Sequence, residues 1–144
     1  MKVVLQRVTS AEVRVAGQIV GHIAHGVVVF VALERGDQEQ ALRHTAERVV
    51  RLRLFADESG RMNRSLLQCG GAALVVSQFT LAADLTKGHR PSFGRAEAPD
   101  RAHHLYHQFC LELEQQGVQV AQGVFGADMQ VHLVNDGPVT FWLE

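Results

Sequence analysis

A chain of 144 residues with net charge −1, 47% hydrophobic and 20% charged residues, is expected to fold as one soluble domain over residues 1–144 and not as a disordered segment. Its 14 basic against 15 acidic residues leave no basic excess, so any nucleic-acid contact should be small and local. Charge at Lys2 and Arg7 interrupts the start too early for a signal peptide, and no apolar run reaches the ~20 residues of a membrane helix. Two cysteines outside any C-x-x-C read as core residues, so the expected compartment is a reducing cytoplasm.

The first element is a strand. Val3, Leu5 and Arg7 alternate with Val4, Gln6 and Val8, and Ala11 to Val15 continue the pattern. Ala16-Gly17 and Gly21 punctuate a meander through Gln18-Ile19-Val20. Gly26 to Leu33 is a β-branched run consistent with a strand buried on both faces. A helix follows, with Asp37 placed to cap it and Gln40 at capping-box spacing. Its apolar face is Leu42, Ala46, Val49 and Val50. Asp57-Glu58-Ser59-Gly60 is turn chemistry. Gly70-Gly71 precedes a second buried strand, Ala72 to Phe79.

Residues 84–99 have three internal breaks, Gly88, Pro91 and Gly94, and little periodicity, which predicts a long functional loop. Pro99 suits the first turn of a second helix, with Ala102, Leu105, Tyr106, Phe109 and Leu113 on its buried face and Gly117 at its end. Val118 to Ala121, Gly126 to Val134 and Val139 to Leu143 read as strands. The fold class is therefore α+β: mixed or antiparallel, barrel-like sheets with two main helices packed on them.

Two stretches look unlike scaffold. Ser77-Gln78-Phe79-Thr80-Leu81 brings three hydrogen-bonding side chains to the end of a buried strand, where a strand fixes geometry and a loop gives access. The same residues also suit a strand that simply fades into a turn. Asn135-Asp136-Gly137-Pro138 is strong turn chemistry and reads, on pattern, as a turn between the two last strands. His103 and His107 have the i, i+4 spacing that holds zinc, but the zincin pattern needs Glu after the first histidine and this chain has His104. No metal and no other cofactor is expected.

With these stretches in place the chain resembles the bacterial-type D-aminoacyl-tRNA deacylases, also called D-tyrosyl-tRNA deacylases. The resemblance runs from Met1-Lys2-Val3-Val4-Leu5-Gln6-Arg7-Val8 to Phe141-Trp142-Leu143-Glu144. It includes Ser77-Gln78-Phe79-Thr80-Leu81, Lys87 to Phe93, Gly123 to Met129, and Asn135-Asp136-Gly137-Pro138-Val139-Thr140.

The resemblance implies hydrolysis of the ester between a D-amino acid and the 3′ end of a tRNA, as chiral proofreading in translation. It implies a homodimer in which a cis Gly137-Pro138 enters the partner's active site and excludes the L-arrangement. Mischarged Gly-tRNA, with no side chain to clash, is then a second expected substrate. Ser77, Gln78, Phe79 and Thr80 are the implied catalytic set. Gly137, Pro138, Asn135, Phe125 and Met129 are the implied substrate contacts, with Phe79, Phe125 and Met129 candidates to hold the terminal adenine. Arg7 would brace the Gly-Pro carbonyls. Lys87, His89 and Arg90 would meet phosphates, with His89 at a position where arginine is more usual.

Thr80 keeps two readings. As a nucleophile it needs a base, and Asp84 is the nearest in sequence. Alternatively the ribose 2′-OH assists, while the strand end positions the ester and stabilises the oxyanion. Two alternatives remain: a binding module that kept the fold and lost the chemistry, and a different hydrolase that uses Thr80 as a covalent nucleophile on a small ester or amide.

Overall fold

The computed structural model describes residues 1–86 and 88–144. The elements in chain order are β1 (Lys2–Val15), β2 (Gln18–Ile23), β3 (Gly26–Ala32), α1 (Glu39–Arg51), β4 (Phe55–Ala56), β5 (Met62–Arg64), α2 (Leu66–Cys69), β6 (Ala72–Ser77), α3 (Pro99–Gln115), β7 (Val120–Gln122) and β8 (Gln130–Leu143). The α+β class, the barrel-like mixed sheet and the two main helices are all as the sequence predicts; α2 is a single added turn.

The long strand β1 organises the sheet. β8 runs antiparallel along one side of it, from Val3↔Leu143 to Arg14↔Gln130. On the other side lie β2 and then β3, both antiparallel to β1. β6 and β7 extend the sheet in parallel from β3. The far edge then curls back: a Cβ on Gly21 of β2 would stand 2.4 Å from the Gln122 carbonyl oxygen of β7. Only glycine permits that approach, so Gly21 lets the barrel nearly close.

Register shifts in β1 near Arg7 change which side its apolar residues serve. Val3 and Leu5 pack under the helices, whereas Val8, Ala11 and Val13 fill the barrel interior. The helix layer is α1, through Leu42, Ala46, Val49 and Val50, against α3, through Leu105, Tyr106, Phe109 and Leu113. Pro99 opens α3 at its first turn, and Gly117 ends it at φ +90°. Tyr106 donates its hydroxyl to the Val75 carbonyl across 2.8 Å, pinning α3 to β6.

Three local expectations differ from the structure. The first is the capping box on α1. Gln38, not Asp37, is the N-cap and makes no side-chain cap bond; the Asp37 carboxylate instead accepts from the Met1 amine (2.6 Å) and the Glu34 N–H (2.7 Å). A capping box does form at α2, where Ser65 and Gln68 exchange bonds. The second is the end of β6, which stops at Ser77; Phe79–Ala82 form a 3-10 turn. The third is the C-terminal turn. Asn135-Asp136-Gly137-Pro138 does not reverse the chain, because β1 offers one continuous partner on both sides of it. Gln6 pairs with Thr140 and Val8 with Asn135, so residues 136–139 bulge out opposite Arg7 within a single strand.

Candidate active site

β6 is buried as far as Val76, then surfaces. The Gln78 N–H donates to the Val31 carbonyl at 2.8 Å, which holds the strand end in the sheet, and the chain then tightens into the 3-10 turn. This turn presents Phe79 and Thr80 to solvent; the Phe79 ring is 58% exposed and meets the edge of Phe93 at 4.9 Å between centroids. Beside it opens an apolar cavity of about 280 Å³ whose lining includes Ser77, Gln78, Phe79, Leu33, Ala102 and Phe125. Three of the four implied catalytic residues and Phe125 thus share one cavity, with Thr80 next to its mouth.

The Gln78 amide Nε2 donates to the Thr80 hydroxyl oxygen. An amide nitrogen cannot accept a proton, so this partner is no general base. Asp84 is engaged with other partners. Its backbone pairs with Ser92 in both directions, at 2.7 and 3.0 Å, and closes the neck of the loop. Its carboxylate accepts from the Thr86 hydroxyl (2.6 Å) and N–H (2.9 Å). Those bonds, the Thr86 hydroxyl foremost, hold it below the usual carboxylate range.

Phe125 packs between the cavity and α3, 4.8 Å from the His103 ring and 5.8 Å from the Tyr106 ring. Met129 sits apart from it. It packs with the barrel-interior cluster, its sulfur 2.8 Å from where a Cβ on Gly123 would stand. His89 and Arg90 are exposed on the loop; Lys87 falls outside the described residues. Glu97, which sequence reasoning passed over, lines the cavity. Its carboxylate accepts from the Ala98 N–H and pairs with Arg101 at 3.1 Å. The i, i+4 spacing of Glu97 and Arg101 was its one sequence signal.

The second signature stretch stands far from this cavity in the same chain. The Gly137-Pro138 bond is cis, and both residues are exposed. Arg7 braces the bulge from behind: its Nε donates to the Asp136 carbonyl (3.0 Å) and its Nη1 to the Leu54 carbonyl (2.5 Å), with the Asp136 carboxylate 3.2 Å away. The carbonyl it holds is thus the one before Gly137. Asn135 closes the base of the bulge, accepting from the Val139 N–H at 2.8 Å and donating to the Thr140 hydroxyl at 3.1 Å. Its side chain is committed to its own strand.

The register measures the separation. Arg7, opposite the bulge, aligns with Val27, and Val27 with Ala73, four residues before Ser77 and three strands across. At ~3.3 Å per residue and ~4.8 Å per strand, the two stretches lie roughly 20 Å apart along the sheet.

A family model described as D-Tyr-tRNA(Tyr) deacylase matches residues 4–144. The chain belongs to the D-Tyr-tRNA(Tyr) deacylase family. It is 56% identical to a D-aminoacyl-tRNA deacylase of Magnetococcus marinus, over 100% of this chain and 96% of the relative. It is 50% identical to that of Photorhabdus laumondii, over 100% and 99%. Among solved structures it is similar to the c-Myc DNA Unwinding Element Binding Protein, with TM-score 0.94 and 38% identity over 100% of this chain and 98% of that one. A probable eukaryotic D-amino acid tRNA deacylase shares the fold at TM-score 0.85 and 22% identity, over 99% and 97%. The deacylase family assignment thus spans both signature stretches and the loop between them.

Among the described residues no helix is long and apolar enough to cross a membrane, and no three His, Cys, Asp or Glu side chains converge as a metal set.

Proposed function

We propose that this protein hydrolyses the ester of D-aminoacyl-tRNA to free D-amino acid and tRNA, in the cytoplasm, as a homodimer whose two sites are each completed by the other chain. The observation that carries the reading is the cavity lined by Ser77, Gln78 and Phe79, an apolar slot of about 280 Å³ with a few polar groups in its lining. An apolar, aromatic-walled slot suits the terminal adenine, with Phe79 and Phe125 as stacking surfaces worth ~1–3 kcal/mol per base. The strand end then positions the ester and stabilises the developing oxyanion through Gln78 and backbone N–H groups of the 3-10 turn. The donor already bonded to the Thr80 hydroxyl favours assistance by the ribose 2′-OH over attack by Thr80. Aminoacyl esters are reactive enough for positioning to supply much of the rate.

The roughly 20 Å between the stretches speaks against a site made within one chain. Val4, Phe30 and Trp142 share one register row, and Trp142 is 50% exposed. A twofold axis through that region, midway between the stretches, carries the bulge of each chain toward the strand end of the other. There Gly137 and Pro138 of the partner subunit form a main-chain wall, braced by Arg7. Such a wall rejects an L-side chain by clash and ignores side-chain identity. Glycine has no side chain to reject, so Gly-tRNA is a second substrate. Arg90 supplies local positive charge and His89 a ring N–H for phosphates near the acceptor end, and Lys87 is assigned the same role as Arg90 from the sequence.

The solved relative named for a DNA element raises duplex binding as an alternative, but a net charge of −1 gives no basic excess for it. The test is the rate of release of D-Tyr, L-Tyr and Gly from their tRNAs with the purified protein. Fast loss of the D- and glycyl esters with the L-ester spared supports the reading. Binding of tRNA without turnover of any ester would leave a binding module.

A further inference from the structure

α3 carries a pair of imidazoles outside the proposed deacylase site. His103 and His107 lie one turn apart on its exposed side, with Nε2 atoms 3.1 Å apart and ring centroids 4.7 Å apart. One ring nitrogen can hold a proton for the other at this distance. The same spacing also fits a metal ion: with metal–nitrogen bonds of ~2.0–2.1 Å, two nitrogens so placed subtend about 100° at the ion. That angle lies between the corner of an octahedral or square site and that of a tetrahedral one. Neither ring swings freely. His103 rests on Phe125 at 4.8 Å and His107 against Tyr106 at 5.8 Å. The helix fixes the spacing and the aromatic neighbours restrict the rotamers, so little ordering remains to be done when an ion arrives.

We propose that His103 and His107 form a two-nitrogen chelate for a divalent ion of the zinc, nickel or copper class on the outer wall of the cavity. Imidazole nitrogen selects these ions over magnesium and calcium, which require oxygen. Two protein ligands leave the remaining positions to water, so the site is open and exchangeable, unlike a closed four-ligand structural centre. Its placement gives it a route to the cavity. Phe125 is both the cavity wall and the surface on which His103 rests, so an ion held by His103 also bears on Phe125. The inference stands independently of the deacylase reading, since it uses neither the strand end nor the Gly137-Pro138 bulge.

Calorimetric titration of the full chain with a zinc salt, in a buffer free of chelators, tests it. The expected result is one ion per chain, no binding of magnesium, and concerted shifts of the His103, His107 and Phe125 ring resonances. His103→Ala and His107→Ala should each weaken binding roughly tenfold or more, and His104→Ala should leave it unchanged. These side chains are exposed, so the variants should fold, as circular dichroism will show; His107→Gln keeps a polar side chain and should lose binding equally. Absence of saturable one-to-one binding, or zinc affinity that survives in the His103→Ala/His107→Ala double variant, would overturn the proposal.

Discussion

The end of β6 opens onto a cavity of its own chain, whereas Gly137 and Pro138 stand exposed on β8, held from behind by Arg7 and Asn135. The first region has walls, a slot for a ligand and hydrogen-bonding groups along it. The second has a stiff backbone and tethers, and its outward side meets solvent. A protein that ties down an exposed bulge so firmly has a use for its shape. On the proposed reading, the two signature stretches are halves of one device, divided so that each chain carries the pocket for the other chain's wall.

The comparison breaks most easily at the pocket. Gln78→Ala removes the group that holds the Thr80 hydroxyl and that, on the proposed reading, faces the ester, so kcat should fall by ~10²–10³-fold, the usual cost of an oxyanion donor. A loss of only a fewfold in single-turnover kinetics would exclude Gln78 from the reaction. Gly137→Ala attacks the other half. Its φ of +145° disfavours an L-residue, and the added Cβ would stand 2.8 Å from the Val139 backbone nitrogen and 2.6 Å from its side chain. The wall must shift, and kcat/KM for the D-ester should drop roughly 10²-fold, a common cost of small misplacements. The cavity should stay intact, as binding of adenosine would report. Unchanged kinetics would show that the bulge plays no part.

Thr80→Ala sharpens the account by its smallness. If the ribose 2′-OH assists, the loss is one hydrogen bond, about 1 kcal/mol or roughly fivefold in rate. A drop of several orders of magnitude, or an acyl group trapped on Thr80, would restore the nucleophile.

The smallest effect concerns the scaffold behind the pocket. Burial pushes the Cys110 thiol up to about 12 and raises the Tyr106 phenol above its ordinary value. The folded chain keeps protons that the unfolded chain gives up first. Stability is therefore intact below the unfolded thiol range and falls as pH rises above it. Since Tyr106 is bonded to Val75 of β6, this alkaline loosening reaches the strand that carries Ser77. Denaturant midpoints at pH 7 and 10 should differ, and Cys110→Ala should narrow the gap; an equal fall in the variant would remove Cys110 from the cause.

The sequence was most informative where one period ruled. The alternation of β1, the apolar run of β3 and the face of α3 from Ala102 to Leu113 follow directly from burial. Ser77-Gln78 was legible as an exit from a buried strand. Two kinds of feature escaped. Local capping at Asp37 lost to a distant partner, because a carboxylate near the Met1 amine gains more from a charge than from a helix N–H. The course of the last strand was hidden because Asn-Asp-Gly-Pro is equally good chemistry for a turn and for a bulge. Only pairing with β1, about 130 residues earlier, decides between them, and no local pattern encodes a partner so remote. Phe125 and Met129 looked alike as apolar neighbours in sequence; opposite sides of the sheet then separated them into cavity and barrel interior.

The most direct measurement of the divided site is complementation between two crippled chains. Gly137→Ala and Gln78→Ala proteins, each almost inactive alone, are mixed under conditions that exchange subunits. A site shared across the dimer predicts one good pocket facing one good wall in every mixed dimer, and recovery to about a quarter of wild-type activity in a random one-to-one mixture. No recovery, with mixed dimers shown to be present, would mean that each chain builds its site alone and would contradict the account.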